Sequence, residues 1–61
     1  MKSEWRVGHR MEGYSRQYCL YRLRDTSVSD NPGNREYDRN WYPNQELAEK
    51  AAAAINAEEG V

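Results

Sequence analysis

Apolar and polar residues alternate along three stretches of the chain and recur at helical spacing in a fourth. Residues 4–11, Glu-Trp-Arg-Val-Gly-His-Arg-Met, set Trp5, Val7, His9 and Met11 on one side and Glu4, Arg6, Gly8 and Arg10 on the other. A period of two containing Trp and Val predicts a strand. Gly8 has no side chain to pack and is a natural place for a bulge. Glu12-Gly13 supplies the turn, since glycine reaches positive φ without steric cost. Residues 14–24 form the second strand, with Cys19, Tyr21 and Leu23 on one face. Tyr14, Arg16, Tyr18, Leu20, Arg22 and Arg24 are on its other face. Residues 25–34 are rich in Asp, Ser, Asn, Pro and Gly, each of which favours turns. They predict a loop, and a connection this long is often functional or mobile. Residues 35–42 alternate Tyr37 and Trp41 against Glu36, Asp38, Asn40 and Tyr42, a third strand. Asp and Asn are poor strand formers, so a bend at 38–40 would split it.

The fourth stretch, 45–58, is helical. Pro43 stops the strand, Asn44 can cap the helix and Glu46 sits in the first turn, where the dipole favours an acid. Leu47, Ala51, Ala54 and Ile55 make the apolar stripe, the run Ala51–Ala54 is strongly helix-forming, and Gly60 ends the element. The chain therefore reads as one α+β domain over 1–61, in the order β-β-β-α. The sheet is antiparallel and three-stranded, or four-stranded if the second or third strand is broken, with one C-terminal helix packed on one face. Trp5, Val7, Met11, Cys19, Tyr21, Leu23, Tyr37 and Trp41 are expected beneath the helix. Arg6, Arg10, Arg16, Arg22 and Arg24 are expected on the bare face, with Tyr14, Tyr18 and Leu20 among them.

Composition sharpens this. In 61 residues the Leu, Ile and Val supply is seven side chains and Phe is absent, so Trp, Tyr, Met and Ala must build the core. A chain this short buries only roughly 60% of its unfolded surface. An internal catalytic cavity is therefore not expected, whereas a homodimer or higher homo-oligomer is, as a common remedy for a thin core. No apolar run is long enough to span a membrane, and no secretory signal pattern opens the chain. Cys19 is alone, which excludes a disulfide scaffold. Residues 1–40 carry eight cationic against six acidic side chains; residues 41–61 carry Lys50 against Glu46, Glu49, Glu58 and Glu59. A mildly basic front thus precedes an acidic tail.

The bare sheet face is the main candidate site. Arginines supply phosphate contacts and tyrosines supply stacking surfaces for unpaired bases. Arg6, Arg10, Arg16, Arg22 and Arg24, with Tyr14 and Tyr18, are the expected nucleic-acid-binding residues. Glu36 and Asp38 share that face by parity and would neutralise part of it through cross-strand pairs. The same face could also join two copies through Tyr14, Tyr18 and Leu20, alone or together with nucleic-acid contact. His9 reads as a core or rim histidine, and Cys19 as a buried, inert thiol. CxxC, HExxH, P-loop and GxSxG patterns are absent. Asp25, Asp30, Glu36 and Asp38 are solvated acids by default. Asp25 and Asp38 are the candidate catalytic residues should the chain nick DNA with a divalent metal. No other cofactor is expected, and the acid spacing does not fit an EF-hand.

Three sets of residues carry a resemblance: Tyr21-Arg22-Leu23-Arg24-Asp25, Gly33-Asn34-Arg35-Glu36, and Trp41-Tyr42 followed by Glu46-Leu47-Ala48-Glu49. Together they resemble short sheet-plus-helix proteins carried by phages and prophages of Gram-positive gut bacteria. The order of elements is similar to the positive-cofactor-four type of single-strand-binding fold, as in some small phage inhibitors of CRISPR nucleases. That fold has four strands where three are counted here. A weaker likeness is to the three-strand-plus-helix DNA-binding domains at the front of phage integrases, which are more basic. The resemblance implies a mobile-element accessory protein in the cytoplasm of a bacterial host. Its partner would be nucleic acid or a host nucleoprotein, with an anti-CRISPR-like role among those implied. Two alternatives stand beside it. One is a protein-only inhibitor that presents Glu46, Glu49, Glu58, Glu59 and loop 25–34 to the basic groove of a host nuclease. The other is the metal-dependent nickase.

Overall fold

A computed structural model describes residues 1–60. Three antiparallel strands, β1 (Arg6–Glu12), β2 (Ser15–Leu23) and β3 (Arg35–Tyr42), lie side by side in chain order, and one helix, α1 (Gln45–Glu59), crosses a single face. The fold is thus α+β in the order β-β-β-α, with three strands. Glu12 faces Ser15 across a two-residue turn, and Gly13 takes the positive φ of 63° that this turn needs. Glycine at the first central position matches a type II′ hairpin turn, whose twist suits the flanking strands. Asn44 caps α1 by accepting from the Leu47 N–H at 2.9 Å, and Gly60 closes it in the left-handed conformation at φ 78°.

The core lies under the helix and is small. Leu20 is completely buried against Ala48 and Ala52, with Trp5, Val7, Tyr18, Tyr42, Ala51 and Ile55 packed around them. The methyl-sized side chains of Ala48 and Ala52 let the helix approach the sheet closely. The apolar stripe is accordingly Ala48, Ala51, Ala52 and Ile55, turned by one position from the expected Leu47, Ala51, Ala54 and Ile55. Leu47 and Ala54 are exposed.

The covered face of β2 and β3 is the opposite of the expected one. Trp5 and Val7 do lie beneath α1, but the β2 and β3 residues there are Tyr18, Leu20 and Tyr42. Cys19, Tyr21, Leu23, Tyr37 and Trp41 belong to the other side. The hairpin is the cause. With Glu12 opposite Ser15, Val7 faces Leu20 and His9 faces Tyr18. Directly opposed residues share a face, so odd positions of β1 sit with even positions of β2. Met11 is not covered either, because the helix does not reach the hairpin end, and it is 58% exposed.

Gly8 makes no bulge. The β1–β2 register runs unbroken through it, and the ring of Tyr21 leans across the space its missing side chain leaves. A Cβ there would sit 3.2 Å from Tyr21 Cδ1. The irregularity falls at 38–40 instead, where β3 carries two more residues than β2 between the pairs Tyr21–Tyr37 and Cys19–Trp41. Asp38–Asn40 thus bend β3 without splitting it. Loop 25–34 is tied down: Asn34 is buried and bonds both main-chain groups of Asp25, and the Thr26 N–H donates to the Met1 carbonyl at 2.8 Å.

Candidate nucleic-acid interface

The face that α1 leaves bare carries arginines stacked on aromatic rings. Arg10 and Trp41 come from the two outer strands and meet over Cys19 of the central one. The Arg10 guanidinium carbon sits 3.8 Å from the Trp41 ring centroid. Farther along, Arg35 lies 4.3 Å from the Tyr21 ring, and Tyr21 and Tyr37 are tilted neighbours with centroids 6.2 Å apart. Arg6 is paired with Tyr21 across the β1–β2 ladder. Tyr37 and Trp41 stay 54% and 41% exposed, so this aromatic bed is open to solvent. A guanidinium resting on a ring keeps its N–H edges free for an anion or a base edge while its orientation is fixed.

Carboxylates attend these arginines. Asp30 takes Arg35 through two hydrogen bonds of 2.7 and 3.0 Å, and Arg35 holds the Asp30 carboxyl below its ordinary range. Glu4 accepts from Arg6 Nε at 2.9 Å and Glu12 lies 3.4 Å from Arg10. The Glu4 and Glu12 pairs are exposed single contacts of the kind that contributes little, so an incoming phosphate can replace those carboxylates, whereas the two-pronged Asp30 grip on Arg35 is the stronger competitor. Among the described residues Arg16, Arg24 and Arg39 have no carboxylate within ion-pair distance.

The expected binding residues are dispersed. Arg6 and Arg10 lie on the bare face. Tyr18 packs against the core beneath the helix. Arg22 is on the helix side, stacked 4.5 Å from the Trp5 ring centroid, bonded to Glu36 across the ladder and 3.2 Å from Glu59 of α1. It is a structural tie among β2, β3 and α1, and Arg22 is the main reason that the Glu36 carboxyl is held below its ordinary range. Tyr14 stands fully exposed at the hairpin tip. Arg16 is exposed beside it, and Arg24, just past β2, donates to the Arg35 carbonyl at 3.3 Å. Sequence reasoning missed Arg35 as a site residue and assigned Tyr21, Tyr37 and Trp41 to the core. The two-residue hairpin is the signal for Tyr21, because it fixes the parity of β2 against β1; Arg35, Tyr37 and Trp41 depend also on the β2–β3 register, which no local pattern carries.

The loop acids do not converge. Asp25 accepts from the hydroxyl and N–H of Ser27, which hold its carboxyl down, and lies near the N-terminal ammonium. Asp38 accepts from Asn40, and Asp30 and Glu36 are engaged as described. Among the described residues no three His, Cys, Asp or Glu side chains are placed to share a metal ion, and the surface has no enclosed cleft. Nor is any helix long and apolar enough to cross a membrane. Burial pushes the Cys19 thiol up, so it stays protonated at neutral pH. On α1, Glu46 pairs with Lys50 and Glu49 with Gln45, so the acidic face is spread along exposed turns. No family model, curated protein or solved structure matches this chain.

Proposed function

We propose that the chain is a small accessory protein, of the mobile-element type its sequence resembles, that binds nucleic acid through the bare face of its sheet. The observation that carries this reading is the pair of stacks, Arg10 on Trp41 and Arg35 on Tyr21, on the one face the helix does not cover. Arg6, Arg10 and Arg35 would take phosphates or base edges, and the exposed parts of Tyr37 and Trp41 would pack against sugar or base. Arg39 lies beside Trp41 in β3 and is exposed, which adds a cation at the same end.

Fluorescence anisotropy with labelled single-stranded and duplex oligonucleotides tests it. Affinity is expected to fall steeply between about 50 and 200 mM salt. Arg10→Ala and Arg35→Ala should each weaken binding to every sequence and lower the salt slope by about one. Lys50→Ala, on the outer face of α1, should leave both unchanged. Binding that ignores salt, or survives loss of both arginines undiminished, would refute this assignment.

A further inference from the structure

Among the described residues, the outer edge of β1 presents main-chain groups that no strand pairs. In a two-residue hairpin closed by Glu12 and Ser15, the even positions of β1 direct their N–H and carbonyl groups toward β2. The odd positions Val7, His9 and Met11 direct theirs outward. Asn56 supports this parity. Its carboxamide accepts from the Trp5 N–H at 2.7 Å and donates to the Trp5 carbonyl at 3.0 Å, so α1 itself occupies the first outward position. Beyond Trp5 none of the described residues takes that role. The strand from Arg6 to Glu12 contains no proline or bulge, and the charges it does carry, Arg6, Arg10 and Glu12, are of both signs, so they can pair across a strand contact instead of only blunting the edge. The opposite edge, β3, is blunted by the irregularity at 38–40 and by Pro43.

We propose that two copies of this chain pair antiparallel through β1, about a two-fold axis at His9, to make one continuous six-stranded sheet. Outward groups must meet outward groups, which restricts the axis to odd or even positions rather than the gaps between them. Centred on His9, Arg6 stands opposite the partner's Glu12, Val7 opposite the partner's Met11, and His9 opposite the partner's His9. Charges on the bare face are then complementary at both ends, and exposed Met11 gains an apolar neighbour. A centre at Gly8 sets Arg6 against the partner's Arg10, twice. A centre at Arg10 sets that arginine against itself. A centre at Val7 requires the Trp5 backbone that Asn56 already holds, and centres beyond Arg10 shorten the overlap. The His9 register forms about six main-chain hydrogen bonds. Because the axis is perpendicular to the sheet, both helices lie on one side and both arginine–aromatic faces on the other.

Analytical ultracentrifugation without nucleic acid tests this independently of the binding reading. At about 100 µM the native chain should sediment at twice its 7.2 kDa mass, with a micromolar dissociation constant. Arg6→Glu and Glu12→Arg should each weaken the dimer by about tenfold, since reversing one member creates two repulsive pairs. The double swap should restore it. His9→Pro, which removes an outward N–H and leaves the β1–β2 ladder intact, should give a monomer with native circular dichroism. A native chain that is monomeric at this concentration overturns the proposal. So does a dimer indifferent to all four variants, or one that the double swap does not restore.

Discussion

Asn34, one of two buried polar residues among those described, shapes the long loop before β3. Its Nδ2 donates to the carbonyls of Asp25, Val28 and Ser29 at 3.0–3.2 Å, its Oδ1 accepts from the Asp25 N–H at 3.1 Å, and its own carbonyl accepts from the Arg24 N–H at 2.7 Å. One buried carboxamide thereby satisfies three carbonyls and one N–H of a ten-residue connection, groups that would otherwise need water or other partners. Replacement by Asp keeps the shape and removes both side-chain donors, leaving an anion facing three carbonyl oxygens. We expect Asn34→Asp to cost about 1–3 kcal/mol. For a chain this size each kcal/mol lowers the thermal midpoint by about 4–8 °C. An unchanged midpoint by calorimetry would mean that loop 25–34 opens without disturbing the sheet. From sequence the same asparagine is one of several turn formers, because its role depends on burial, which local propensity does not encode.

Elements were legible where a local rule sufficed and illegible where two had to be combined. The alternation in 4–11, the cap at Asn44 and the stop at Gly60 each follow from neighbours a few residues apart, and each stands in the structure. Which side of β2 meets the helix does not follow from its own pattern, since Tyr18 and Leu20 are as apolar as Tyr21 and Leu23. Hairpin register decides it for β2, and with the β2–β3 register it makes Tyr21, Tyr37 and Trp41 a surface rather than a core. Attachment of α1 to β1 was hidden for a related reason: Asn56 reads as a polar residue on the solvent side of a helix. It is half-buried and bonds both main-chain groups of Trp5, fifty-one residues away. Asn56→Leu keeps the size and the helix tendency but strands those two groups at the helix–strand contact. We expect a loss of about 1–2 kcal/mol, seen as a lower urea midpoint with an unchanged slope. A midpoint equal to the native one would show that water replaces the carboxamide without cost.

At the scale of the whole molecule, a core with one large fully buried side chain leaves folding sensitive to its polar periphery. Glu36, Asp30, Asp25 and Glu4 all have carboxyl groups held below their ordinary range. The causes are in turn the Arg22 hydrogen bond, the Arg35 pair, the Ser27 hydroxyl and N–H, and the backbone of Glu4 with Arg6. A depressed folded-state value means that the unfolded chain binds protons first on acidification. These groups therefore favour folding fully above the ordinary carboxylate range, and that contribution fades as pH falls through it toward the folded values. The thermal midpoint should be level from about pH 5 to 7 and decline below about pH 4. Glu4 and Asp30 are exposed and Asp25 and Glu36 half-buried, so about 1 M salt should flatten part of the decline by screening the pairs. Arg22 joins Glu36 to Glu59 and to the Trp5 ring, tying strand, helix and core edge together. Arg22→Met keeps much of the apolar stem and removes the charge, so it should shrink the acid-dependent part of the curve while costing less at neutral pH than Arg22→Ala. An acid limb identical in the native chain and Arg22→Met would place the pH response elsewhere, with Asp30 and Arg35 as the next pair to break.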